Sequence, residues 1–375
     1  MDLKTMQLFT IMNKHLKTKN IMNKHLKIKN IYSFFIVFIT VFLSGCSRTN
    51  IQTHGLKDIS PFPFGMAVKN HPIYTDVQYH NIVKFECDRV TPENSLKMKT
   101  IYKGKGVYNW NEADSIIDFA LKNKLDIHGH VLIWSKSIPE WMKEYQTDRE
   151  GWKNVMKEYI YEVVGRWKGK IKSWDVVNEA FNDNGEITTT DFWYQKIGPD
   201  FIDLAFQYAH NADPDALLFY NDYGHEYSSK RRIGINNMII DMLERGIPIH
   251  GIGLQMHTSL NRKKGELKNA IETAAKTGLK VHVSELDVSM NNTIRNPNMI
   301  FTDSLQIQQM KKYQEITLAM KNIPVKQQFG ITTWGVCDVD SWLLSQWSPE
   351  WPLLFDSVYS KKKAYHGIIE VLKQN

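Results

Sequence analysis

Glu179 and Glu285 are the residues whose type and placement first suggest chemistry. Each closes an apolar, β-rich run: WDVVNE (174–179) and VHVSE (281–285). A lone glutamate after such a run is most often a helix cap or a surface ion pair. Two on one cleft can break a glycosidic bond. One, protonated, donates to the leaving oxygen; the other, ionised, attacks or stabilises the anomeric carbon. Trp134, Trp334 and Trp342 would offer apolar faces to sugar rings. The two glutamates lie far apart in the chain, so the fold must bring them to one rim.

The elements predicted to do this alternate along the sequence. Strands are expected over 62–68, 85–92, 125–134, 171–179, 216–222, 249–257, 279–288 and 330–336. Amphipathic helical patterns lie between them, at 111–124, 154–167 and 268–278. The first should bury Ile116, Ile117, Ala120 and Leu121 on one face. Strands separated by helices imply βαβ units and a parallel sheet. Eight units imply closure into an α/β, single-domain (β/α)8 TIM barrel over 61–375, whose active site is built at the C-terminal ends of the strands. Those ends carry Glu93-Asn94, His130 and Trp134, Asn178-Glu179, Asn221-Asp222, Gln255 and His257, Glu285 and Asp287, and Trp334. Asp287 shares the parity of Glu285, so both face one side. His282 has the opposite parity and reads as structural. His128 and His130 would hold a metal only with further ligands at matching strand ends; His257 is one candidate, but Glu179 and Glu285 are better explained as a catalytic pair. No metal or cofactor is expected.

The motifs TPEN (91–94), GHVLIW (129–134), WDVVNEAF (174–181), YND (220–222), GIGLQMH (251–257), SELDV (284–288), TTWGVCDVDSW (332–342) and PLLFD (352–356) resemble glycoside hydrolase family 10, best known for endo-β-1,4-xylanases. The resemblance covers about 62–370. It implies that Glu179 is the general acid/base and Glu285 the nucleophile of a retaining double displacement on xylan, a polysaccharide substrate. It implies that His257 and Asp287 form a hydrogen-bonded group with the nucleophile. It gives Asn178 a contact to the sugar 2-hydroxyl. Glu93, Asn94, Lys97, His130, Trp134 and Gln255 match glycone-side sugar contacts, and Trp334 and Trp342 match aromatic platforms. Glu179 is expected to have a raised pKa, helped by the negative charge of Glu285. The chain departs from the family where a glycone-side histidine and a glutamine become Ser135 and Ser137, and where a tryptophan becomes Met98. Those serines leave room for a β-glycanase of altered specificity, on a decorated xylan or another β-glycan, or for exo action. A non-catalytic glycan-binding lipoprotein should have lost a glutamate, and both are present.

The first 45 residues read as targeting. Seven lysines and one aspartate precede an apolar run of about fourteen residues within 31–46, too short for a comfortable membrane span. LSGC (43–46) resembles a bacterial lipobox. It implies a signal peptide over 1–45, lipidation of Cys46, a short tether over 46–60 and a lipid-anchored place in the cell envelope. The direct repeat IMNKHLKTKN/IMNKHLKIKN (11–30) stops after two copies, and a start at Met22 would leave a leader of ordinary length. The whole chain has 47 basic and 40 acidic residues, or +7. Without the leader this becomes 40 minus 39, or +1, so the basicity belongs to targeting and no nucleic-acid partner is implied. Cys87 and Cys337 do not make a disulfide framework. The protein is expected to act as a monomer.

Overall fold

The computed structural model describes residues 54–374. The expected signal peptide, the repeat and Cys46 lie outside them. Eight parallel strands form a closed ring: β1 (Phe64–Val68), β2 (Arg89–Pro92), β3 (Asp126–Gly129), β4 (Ser173–Asn178), β5 (Leu217–Asp222), β6 (Gly251–Leu254), β7 (Lys280–Ser289) and β8 (Gln328–Thr333). Each pairs with its successor, and β8 pairs with β1 in the register Phe64 to Ile331 and Gly65 to Thr332. The ring therefore has no free edge. Helices α1 (Val77–Glu86), α2 (Asn111–Lys122), α3 (Arg149–Arg166), α4 (Phe201–Ala212), α5 (Ser229–Glu244), α6 (Glu266–Ala275), α7 (Asp303–Asn322) and α8 (Lys363–Lys373) follow the strands in turn. This is the (β/α)8 barrel that the alternation predicted.

The strands read as apolar runs because helices cover their outer faces while neighbouring strands and barrel-filling side chains cover the rest. All six residues of β4 are buried. Some boundaries differ from expectation. β2 begins at Arg89, because α1 continues through Glu86. The 249–257 segment is two strands, β6 and a short piece at His257–Ser259 that pairs with the end of β7. In α2, Ala113, Ile116, Ile117 and Ala120 are buried, but Leu121 is 40% exposed. Leu121 is next to Ala120 in sequence yet a hundred degrees further round the helix, which carries it off the inward stripe. Within the span expected as a tether, Leu56–Ile59 is helical. Leu56 is fully buried, and its N–H donates to Glu86 Oε2 at 2.8 Å.

The barrel interior holds His128, Phe219, His282 and Phe329, ring against ring, with the His128 and His282 centroids 4.8 Å apart. His282 is structural, as expected: it is fully buried, with Nε2 2.8 Å from Thr332 Oγ1. Parity fails beyond it. The register slips between Val283 and Leu286, so residues on both sides of the slip reach the interior. Cys87 and Cys337 are buried free thiols.

Candidate active site

β4, β5, β6 and β7 converge on a hydrogen-bonded chain of side chains. Asn221, the penultimate residue of β5, is its hub and is fully buried. Its Nδ2 donates to Glu285 Oε1 at 2.7 Å and to Asn178 Oδ1 at 3.0 Å, and its Oδ1 accepts from Ser284 Oγ at 2.6 Å. Gly253 leaves room for it: a Cβ there would lie 2.2 Å from Asn221 Oδ1. Gln255 Nε2 donates to Asn178 Oδ1 at 3.1 Å and to Glu179 Oε1 at 3.0 Å. The two glutamates are thus joined through Gln255, Asn178 and Asn221. At Glu179 the chain turns out of β4 with φ +59°, a conformation uncommon for a residue with a side chain, while its N–H donates to Asn221 O at 3.0 Å. Met256, just before His257, also has a positive φ, +61°.

His257 bridges the carboxylates of β7. Its Nε2 lies 3.1 Å from Glu285 Oε2 and its Nδ1 2.8 Å from Asp287 Oδ2. Trp342 Nε1 donates to the same Asp287 oxygen at 2.9 Å. Burial pushes the His257 pKa down, but Asp287 and then Glu285 overcome it and raise it to about 10. The ring is therefore a cation at neutral pH, holding Glu285 in place. Behind it, Asp175 lies between two histidines: 3.0 Å from His128 Nε2 and 2.8 Å from His130 Nδ1. Burial favours the protonated acid, yet the histidines hold its carboxyl well below the usual range. His128 and His130 thus share a carboxylate. Among the described residues, no group of three or more His, Cys, Asp or Glu is arranged to hold a metal.

Glu179 departs from expectation. Its Oε2 accepts from Lys136 Nζ at 2.6 Å. Burial raises its pKa, but Lys136 and then Gln255 outweigh burial and bring it below the ordinary glutamate value. A neighbouring ammonium that the sequence did not flag overrides the influence expected from Glu285.

The remaining residues line one cleft of about 560 Å³. Lys97, at 8% exposed, is not a surface lysine. Its Nζ donates to Asn94 Oδ1 at 3.0 Å, Asn94 Nδ2 donates to Glu93 Oε1 at 3.1 Å, and the Lys97 ammonium sits 5.0 Å from the Trp134 ring centre. Burial raises the Glu93 pKa and lowers that of Lys97. Trp334 lies edge-on to His130 at 5.1 Å, and Trp342 edge-on to His257 at 5.0 Å.

All thirteen residues singled out as catalytic or substrate-binding are gathered in or against this cleft. Ser135 and Ser137 are not. Ser135 Oγ donates to Asp191, and Ser137 Oγ accepts from Lys99 N–H at 3.3 Å. The residue between them, Lys136, lines the cleft instead, along with Tyr223, Tyr227 and Gln346. Sequence reasoning gave no role to these four, nor to Asn221 and Asp175. Asn221 at a strand end, and Tyr223 directly after it, were the available signals.

The model of the family described as glycosyl hydrolase family 10 matches residues 56–371. The chain is 38% identical to a β-1,4-xylanase of Dictyoglomus thermophilum, over 82% of this chain and 88% of that one. It is 33% identical to endo-1,4-β-xylanase A of Cellvibrio japonicus, over 85% of this chain but only 56% of that longer protein. Its fold is similar to xylanase 10B from Thermotoga petrophila in complex with xylobiose, with a TM-score of 0.80 and 32% identity over 86% of this chain and 98% of that one.

Proposed function

The chain belongs to glycosyl hydrolase family 10, and we propose that it is an endo-1,4-β-xylanase that cleaves internal xylosidic bonds by double displacement with retention. The observation that carries this reading is the cleft itself. Glu179 and Glu285 share it, tied together by amides and flanked by tryptophans. Glu285, fixed by Asn221 and the His257 cation, attacks the anomeric carbon. Glu179 gives its proton to the leaving oxygen, then takes one from the water that opens the glycosyl-enzyme. Asn178 meets the 2-hydroxyl of the attacked sugar. Glu93, Asn94, Lys97, His130, Trp134 and Gln255 hold the glycone, and Trp334 and Trp342 are its platforms. Lys136 must leave Glu179 for the proton to be held there.

The test is product analysis with residues 47–375 on linear xylan, arabinoxylan, glucuronoxylan and other β-glycans. Short xylo-oligosaccharides are expected. With an activated xylobioside and azide, Glu179→Ala should yield the β-glycosyl azide and Glu285→Ala the α-glycosyl azide. The opposite pairing would reverse the two roles. Products confined to another glycan would overturn the substrate.

The basic leader and LSGC support secretion and lipid anchoring of Cys46 in the bacterial cell envelope. Fatty-acid incorporation that disappears in Cys46→Ala is the expected result; incorporation unchanged by that substitution would refute it.

A further inference from the structure

Lys136 is a cation in the catalytic cleft that the double displacement itself does not require. It sits in a short turn, Ser135–Ser137, after β3. Its side chain is 65% exposed, unlike Lys97, which is packed into the cleft wall. The ammonium touches Glu179 Oε2 and lies 5.6 Å from the Tyr223 ring centre and 5.9 Å from that of Trp134. It therefore stands beside the scissile position, between two aromatic faces, and is open to solvent. On the same rim Arg262 lies 5.2 Å from the ring centre of Tyr227, which also lines the cleft. The nearby acids are otherwise engaged. Asp222 is buried and paired with Arg231, and Asp183 pairs with the same guanidinium. A chain of neutral xylose offers this ammonium no counter-charge, and seating a sugar at Glu179 displaces it from the one it has.

We propose that Lys136 is a specificity-determining residue that binds the carboxylate of a hexuronic acid branch on a xylose next to the scissile bond. The inference rests on the xylanase reading and names its preferred substrate class: acidic xylan. The branch carboxylate takes the ammonium from Glu179, and the acid/base is then free to hold its proton. Binding of the branch and release of the acid are one event. A neutral chain must displace Lys136 into water without that compensation.

The experiment compares kcat/KM on three substrates. These are a linear xylo-oligosaccharide, the same chain with one uronic acid branch, and that branched chain with its carboxyl reduced to the alcohol. The reduced form keeps the size of the branch and removes only the charge. For a partly exposed pair the acidic form should be favoured over the reduced one by about threefold to fivefold at low salt. The preference should fade at high salt. It should vanish in Lys136→Gln and return in Lys136→Arg. A wild-type ratio near one, with both substrates cleaved, overturns this inference and leaves the xylanase reading standing. A preference that persists in Lys136→Gln overturns the assignment to Lys136. Failure to cleave any of the three overturns the xylanase reading and this inference with it.

Discussion

Replacing His257 with asparagine removes the cation between Glu285 and Asp287, and the structure sets the size of the effect. The folded pKa of about 10 stands roughly 3.5 units above the 6.5 of a free histidine, each unit being about 1.4 kcal/mol. A raised histidine pKa stabilises the fold fully below pH 6.5. That contribution is lost as pH rises from 6.5 through 10. The upper bound is about 5 kcal/mol. The side chain is 19% exposed and shares its charge between two carboxylates, so about 2–4 kcal/mol is the reasoned range. With roughly 2 cal/mol/K of unfolding entropy per residue, some 320 residues give about 0.7 kcal/mol/K, hence about 3–6 °C in Tm. The assay is calorimetry of wild type and His257→Asn at pH 6.5 and 10 in matched salt. The Tm gap between them should be wide at pH 6.5 and narrow by that amount at pH 10. A gap that stays constant with pH would refute the charged bridge.

Other substitutions probe the rest of the cleft. Asn221→Ala removes a charge-assisted bond to Glu285, strands Ser284 and takes one of two donors from Asn178 Oδ1; kcat/KM should fall about 10- to 100-fold, with KM changing less than kcat. Gly253→Ala pushes a methyl against Asn221. It should cost about 1–3 kcal/mol in denaturant unfolding and depress kcat, although Gly253 touches no substrate. Lys136→Gln removes the ammonium that lowers the Glu179 pKa, so the basic limb of kcat/KM on a neutral chain should move to higher pH. The charged groups that remain around Glu179 are Glu285, Asp222 and Lys97; an unmoved limb would show that they set it.

The barrel was legible because its parts repeat. Strand ends carrying Glu93, Asn178, Glu285 and Trp334 pointed to one rim before any coordinates did. What stayed hidden depended on side-chain direction. Lys136 lies between two serines that drew attention for departing from the family pattern, yet the turn sends the serines to Asp191 and Lys99 and the lysine into the cleft. Asn221 and Asp175 are polar residues within buried strands, and sequence gives no partner for such a group. The raised pKa expected of Glu179 failed for the same reason: it followed from a carboxylate named in advance, and the nearer cation was not. Parity put Asp287 on the side of Glu285 and left His282 as structural, but it could not show that His282 also turns inward, because a register slip in β7 has no sequence period.

The pairing of β1 with β8 also governs how this enzyme is born. Glu179 and Glu285 are both synthesised well before Gln328, but a nascent chain ending short of β8 has two open sheet edges, on β1 and on β7, the strand that carries Glu285. Such edges recruit strands from other chains. The catalytic pair can therefore be complete in sequence and still have no cleft until β8, Gln328–Thr333, has emerged behind them. A chaperone acting on this protein would have to guard it through that interval.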